Sequence, residues 1–315
     1  MGANSLFENS LSDIDTANAI VDTHKAAFLD ILRQMNLTEL VHIFNSPANR
    51  RPANMASFLF GLRDNSIAAG AGVKSSALDF NFRLQEDEDF KIVFIIFYAA
   101  IIYHVGKLIA ACNLELPRHL SFSGNGSRVL KIISPDVTLL TRLTRLMLEM
   151  SSGLAYGDRR LEILGLQEGA SPKESTCKGG ILATSEDTDT SDARRVVIIG
   201  DKRGVASSAD TYATLSPDAL AQIKAEVLDF YDFLDRVNEQ MNFDDNFGVG
   251  KRALAIARQV GRLDLDTFLA KGIKRRLTES EIDDTIEESP FFYPILGSMN
   301  AISAEIGNSP LNSKL

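Results

Sequence analysis

Cysteine is nearly absent from this chain. Cys112 and Cys177 are its two cysteines in 315 residues, both in helical sequence contexts. That excludes a disulfide framework and a zinc-type ligand spacing, and a reducing cytoplasm is the expected compartment. Histidine is almost as scarce. The four histidines stand apart, with no His-Glu-x-x-His grouping, so structural roles are expected for them. Ser-His-Asp chemistry has no anchor here. No apolar run reaches the roughly 20 residues that a membrane-spanning helix needs. The longest, Ile92 to Tyr103, is twelve residues, preceded by Glu86, Asp87, Glu88, Asp89 and Lys91 and followed by His104 and Lys107. It predicts a helix buried on nearly all sides, with no membrane partner. The first 20 residues lack the basic start and apolar centre of a secretory signal. Basic charge is in deficit: the net charge is −9 and the pI about 5.1, against the basic footprint of a nucleic-acid-binding surface. Arg50-Arg51, Arg142 and Arg145, Arg159-Arg160, Arg194-Arg195 and Lys274-Arg275-Arg276 are scattered, and read as solvated faces. A Walker-type Gly-x-x-x-x-Gly-Lys-[Ser/Thr] loop is missing, as is any repeat of fixed period.

What is present is ordinary globular material, 45% hydrophobic and 24% charged, enough for one large or two modest cores. Asp13 to Gln34 reads as an amphipathic helix with Ile20, Val21, Phe28 and Ile31 on one side. Shorter helices are expected at Glu39 to Phe44 and Pro52 to Leu62. Ala68 to Gly72 reads as a flexible break. Leu78, Phe80, Phe82 and Leu84 alternate with Asp79, Asn81 and Arg83, which predicts a strand or extended arm. The buried helix over 87–113 leads into a strand at 118–123, helices at 126–133 and 136–152, and a strand at 160–165. Thr184 to Asp192 is a polar, acidic linker, and Arg195 to Gly200 a further strand. Ser216-Pro217-Asp218 is a strong helix start, with a capping hydroxyl, proline at the first position and an acid in the first turn. Leu220, Ile223, Val227, Phe230, Leu234, Val237 and Met241 then recur at helical spacing to about residue 242. Helices at 250–259, 263–275, 278–286 and 290–306 complete the chain. The aromatic group Phe230, Tyr231, Phe233, Phe291, Phe292 and Tyr293 reads as core.

Two stretches carry a functional signal. Ser121-Phe-Ser-Gly-Asn-Gly-Ser-Arg128 runs from an apolar strand through a small-residue turn into a helix. Gly124 and Gly126 remove side chains where the backbone turns sharply or a ligand approaches. The helix start behind them offers free N–H groups and a positive dipole end, which suits an anion. Ser171-Pro-Lys-Glu-Ser-Thr-Cys-Lys-Gly-Gly-Ile-Leu-Ala183 places Pro172 in the first turn of a helix that ends on Gly179, Gly180 and Ala183.

In this order, the pair resembles the adenosine-side motifs of the actin, sugar-kinase and heat-shock-chaperone ATPase superfamily, over roughly residues 86–183. The resemblance implies a helix-rich α/β fold: an actin-like ATPase half-domain with a helical insertion. Residues 1–85 would form the cap-like helical part, 86–205 the α/β subdomain and 206–315 a helical C-terminal region. It also implies that Gly124, Asn125, Gly126, Ser127 and Arg128 lie beside the adenosine, with Asn125 where the family has a small residue. Lys173, Glu174 and Lys178 would face the base and ribose from the later helix. ATP or ADP with Mg²⁺ is the implied ligand. The family's phosphate hairpins, built on Asp-x-Gly, do not occur in residues 1–120, and Gly200 to Gly204 comes in the wrong order for one. The chain is therefore expected to be the C-terminal part of a longer protein, completed by a missing N-terminal half or a protein partner and inactive alone. The alternative is a degenerate, ATPase-like binding or regulatory module without nucleotide function. A sugar-kinase-like half would need a catalytic Asp beside a Gly-rich phosphate turn, and none is found.

Overall fold

A computed structural model of the chain describes residues 6–7, 18–122, 127, 129–164, 211–279, 286 and 289–308. The described part is helix-rich, with one small parallel sheet. Helices α1 (Ala19–Gln34), α2 (Thr38–Phe44), α3 (Pro52–Gly61), α4 (Ser66–Gly70) and α5 (Phe80–Gln85) lead to the long α6 (Lys91–Ala111). Strand β1 (His119–Ser121), helices α7 (Leu130–Ile133) and α8 (Val137–Ser152) and strand β2 (Glu162–Leu164) follow. The remaining helices are α9 (Pro217–Met241), α10 (Phe243–Phe247), α11 (Lys251–Val260), α12 (Leu265–Glu279) and α13 (Phe292–Gly307).

The organising element is α6. By length and composition it could cross a membrane, yet it lies packed inside the protein, with Ile92 through Ala100 buried without interruption. Its central position explains the all-round apolar sequence, because a helix with no solvent face has no polar stripe. It packs against α7, α8, α9, α11 and α13. Most of the core is one continuous apolar cluster, running from Leu6 and Ile20 through Phe94 and Phe230 to Ile306. A smaller cluster joins Tyr212, Ile223, Leu269, Ile286 and Tyr293. Burying a large aliphatic or aromatic side chain stabilises a fold by roughly 1.5–3 kcal/mol, so this shared centre ties early and late segments of the chain together.

Polar side chains fix the helix ends. Asn18 accepts from the amides of Ile20 and Val21 at the start of α1. Asp136 accepts from Thr138 N at 2.8 Å to open α8. Ser216 Oγ accepts from Ala219 N at 3.1 Å, ahead of Pro217, so α9 begins where the capping signal predicts. Of the predicted apolar face, Ile223, Val227, Phe230, Leu234, Val237 and Met241 are buried and Leu220 is half-buried, while Tyr231 and Phe233 are buried beside them.

Two expectations are corrected. Residues 78–84 are not a strand: Ser75–Leu78 forms a 3₁₀ turn and Phe80–Gln85 a helix. Asp79 caps that helix, accepting from Asn81 N at 3.0 Å and Phe82 N at 3.3 Å. Phe80 and Leu84, one helical turn apart, are buried, while Phe82 is 51% exposed. The predicted break at Ala68 to Gly72 is also shorter, because Ser66–Gly70 is helical behind an Asn65 cap. Only Gly72 takes the left-handed backbone there, at φ 75°.

Strands β1 and β2 pair in parallel, with His119 beside Glu162, Leu120 beside Ile163 and Ser121 beside Leu164. Parallel neighbours need a crossover, and α7 and α8 supply it. The expected strands at 195–200 and helix from Pro172 fall outside the described residues.

Candidate functional site at the sheet edge

The carboxyl ends of β1 and β2 stand side by side. The Phe122 amide donates to Leu164 O at 3.3 Å, continuing the ladder one step beyond β1. The Phe122 ring lies 6.0 Å from that of Tyr98 on α6, so the strand end rests on the central helix. Of the residues assigned to the adenosine side, Ser127 is described, and it is buried. Val129 and Leu130 after it are buried, and α7 begins at Leu130, four residues later than the helix start expected at 126. Gly124, Asn125, Gly126, Arg128, Lys173, Glu174 and Lys178 lie outside the described residues.

Below this edge, α8 and the start of β2 form an open cleft that sequence reading missed. Thr138, Thr141, Arg142 and Arg145 face it from α8, and Arg160, Glu162 and Ile163 from the strand side. The helix turns its other face inward, burying Leu140, Leu143, Thr144, Met147, Leu148 and Ser151. Arg142, Arg145 and Arg160 were dispersed basic positions in the sequence; the α8–β2 packing brings them to one surface. The sequence signal that could have found them is the spacing of Thr138, Thr141, Arg142 and Arg145, which puts all four on one helix face. Arg145 is held in place: Nη2 donates to Gly157 O at 2.9 Å, and its guanidinium lies 5.3 Å from the Tyr156 ring centroid. It also pairs with Glu149, Nε to Oε1 at 3.3 Å. Arg159 turns away to Glu115, at 3.2 Å.

Other polar groups serve the scaffold. Tyr103 Oη lies 2.7 Å from Glu226 Oε1 and 2.6 Å from Asp229 Oδ2, linking α6 to α9. Lys107 Nζ reaches the same carboxylates at 3.1 and 3.2 Å. Burial, then the two carboxylates, pushes the Tyr103 phenol far up, so it stays protonated. His104 stacks on Phe291 at 5.9 Å, and burial holds its imidazole down at about 4. Lys91 is buried, with Nζ donating to Phe247 O at 2.8 Å. Cys112 is a free, exposed thiol at the end of α6, and Cys177 lies outside the described residues. Among the described residues, no group of three or more His, Cys, Asp or Glu side chains could hold a metal ion.

Comparison with protein-family models, with curated proteins and with solved structures finds no match to this chain.

Proposed function

We propose that this chain supplies the adenosine-facing wall of a nucleotide site at the shared carboxyl edge of β1 and β2. The observation that carries the reading is the parallel pairing of the two strands, which sets Ser121 beside Leu164. The chain therefore leaves both strands at one edge of one sheet, and the motif-bearing stretches 121–128 and 171–183 come after those strands in sequence. Open α/β arrangements take their ligands outside the carboxyl ends of strands. In this reading Gly124, Asn125, Gly126, Ser127 and Arg128 contact purine and ribose, joined by Lys173, Glu174 and Lys178, and the ligand is ADP or ATP with Mg²⁺. The chain is then the adenosine-side part of an actin- or chaperone-like ATPase working in the cytoplasm. A second lobe or protein partner would bring the phosphate-binding hairpins, and the switch is a hinge closing on the ligand.

A second reading, an ATPase-like protein-binding or regulatory module without nucleotide function, is favoured by the small size of the sheet. Among the described residues, two strands of three residues each stand in an otherwise helical scaffold. Thermal-shift and calorimetric titration with ADP and with ATP plus Mg²⁺ separates the two. Saturable stabilisation that is lost in Arg128→Ala supports the nucleotide wall. A flat response at millimolar nucleotide overturns it and leaves the protein-binding module.

A further inference from the structure

The cleft between α8 and β2 has two guanidiniums to spare. Arg142 and Arg160 sit on its opposite walls, and neither has an ion-pair partner among the described residues. Arg145, between them in sequence, is already committed to Glu149 and Gly157. The one carboxylate in the lining, Glu162, sits 3.6 Å from His119 Nε2. The space is about 550 Å³. Leu161 and Ile163 are buried along the strand wall, and Val137 is 41% exposed at the rim. Two cationic groups thus face a shared, partly apolar concavity in a chain whose net charge is −9. Two like charges facing one open cleft repel, and an anion between them removes that repulsion.

The chemistry of the donors narrows the anion. A guanidinium presents a planar fork that matches phosphate oxygens bidentately. The α8 N-terminus is not the attraction, because the Asp136 carboxylate already occupies the Thr138 amide. We infer that this cleft is a binding site for a phosphate monoester carried on a small apolar or aromatic body, the phosphoryl group between Arg142 and Arg160 and the body on Val137, Leu161 and Ile163. The cleft is lined from Arg160 to Ile163 and from α8, and it uses none of the residues assigned to the nucleotide. It therefore does not rest on the nucleotide reading.

The test is calorimetric titration of the full chain with phenyl phosphate, beside inorganic phosphate and sulfate at matched ionic strength. The same titrations are run on the double variant Arg142→Gln/Arg160→Gln. Both arginines are exposed, so the variant should keep the wild-type circular dichroism and ligand-free melting temperature, and both are measured first. The expected result is saturable binding of phenyl phosphate, weaker for inorganic phosphate. In the variant the affinity should fall by about tenfold or more, as expected for losing charge-assisted hydrogen bonds. Absence of saturable binding overturns the site, as does unchanged affinity in the double variant. Equal binding of sulfate and phenyl phosphate overturns the phosphomonoester assignment and leaves only a general anion effect.

Discussion

Gly106 of α6 and Ser151 of α8 bring the two helices into close contact: a Cβ on Gly106 would lie 1.8 Å from Ser151 Oγ and 2.7 Å from its Cβ. Ser151 Oγ is itself fixed, donating to Met147 O at 2.6 Å. Two effects of opposite sign meet in Gly106→Ala. Alanine is the better helix former by about 1 kcal/mol, but overpacking a fixed interface costs about 1–3 kcal/mol. Backbone lies behind the serine, with Ser152 N at 3.2 Å, so the steric term should win. Urea denaturation should show net destabilisation, partly recovered when Ser151→Gly is added. A more stable Gly106→Ala protein would contradict this packing.

The Tyr103 hydroxyl has one proton and two carboxylates within 2.7 Å. Lys107 supplies the remaining positive hydrogens to Glu226 and Asp229. Tyr103→Phe keeps the ring against Phe230 and Phe291 but strips a donor from a charged acceptor. The expected loss is about 1–3 kcal/mol. Lys107→Met removes the only cation contacting both carboxylates among the described residues, leaving two like charges beside each other. Its destabilisation should shrink as salt is added, because screening weakens the repulsion. A salt-independent loss in Lys107→Met would show that the lysine acts through packing.

His104 makes stability depend on pH. Burial holds the folded imidazole at about 4, while an exposed histidine titrates near 6.5. Between those values the unfolded chain binds the extra proton. Stability from this group is therefore full above about 6.5 and is lost as the pH falls toward 4, by an amount on the order of 3 kcal/mol. Denaturant melts at pH 7, 5.5 and 4.5 should record the decline. His104→Leu keeps an apolar side chain against Phe291 and Phe292 and should flatten that part of the profile. A slope unchanged by the substitution would mean that other groups set it.

Periodicity made most of the helical scaffold legible. The run Ile92 to Tyr103 could only be a core helix if nothing polar faced it, and α6 is surrounded. Ser216-Pro217-Asp218 and the apolar spacing that follows located α9. The failure at 78–84 has a definite physical cause. Alternation at Leu78, Phe80, Phe82 and Leu84 fits a strand if all four share a face, but Phe80 and Leu84 also lie four apart. The Asp79 cap, a local hydrogen-bonding choice, decides for the helix and leaves Phe82 in solvent. The arginine cleft was illegible for a different reason. Arg142 and Arg160 belong to different elements, and only the packing of α8 on β2 makes them neighbours. A linear pattern shows charges on one helix face but not the wall opposite.

Asp87 joins three structures at the mouth of the central helix. Its Oδ1 accepts from Asp89 N at 3.0 Å and Phe90 N at 2.9 Å, capping the turn that opens α6. Its Oδ2 lies 3.0 Å from His24 Nε2 on α1. Burial works to raise this carboxyl, but the His24 ring and the two amides outweigh it and hold it below its ordinary 3.8. A carboxylate held low contributes stability that is complete above the unfolded value. That stability is lost as the pH falls from about 3.8 through the folded value, a window below the one set by His104. Asparagine caps as well as aspartate does, whereas alanine costs about 1 kcal/mol at such a position. Asp87→Asn should therefore be nearly neutral through the cap and lose only the carboxylate's contact with His24, while Asp87→Ala loses both. Denaturation of the two variants at pH 7 and pH 3 divides the contributions. At pH 3, below the unfolded value, part of the wild-type carboxylate's contribution is lost, so the gap between Asp87→Asn and the wild type should narrow, and Asp87→Ala should stay below both. If the two variants are equally unstable at pH 7, the carboxylate's contact with His24 carries the whole effect and the cap carries none.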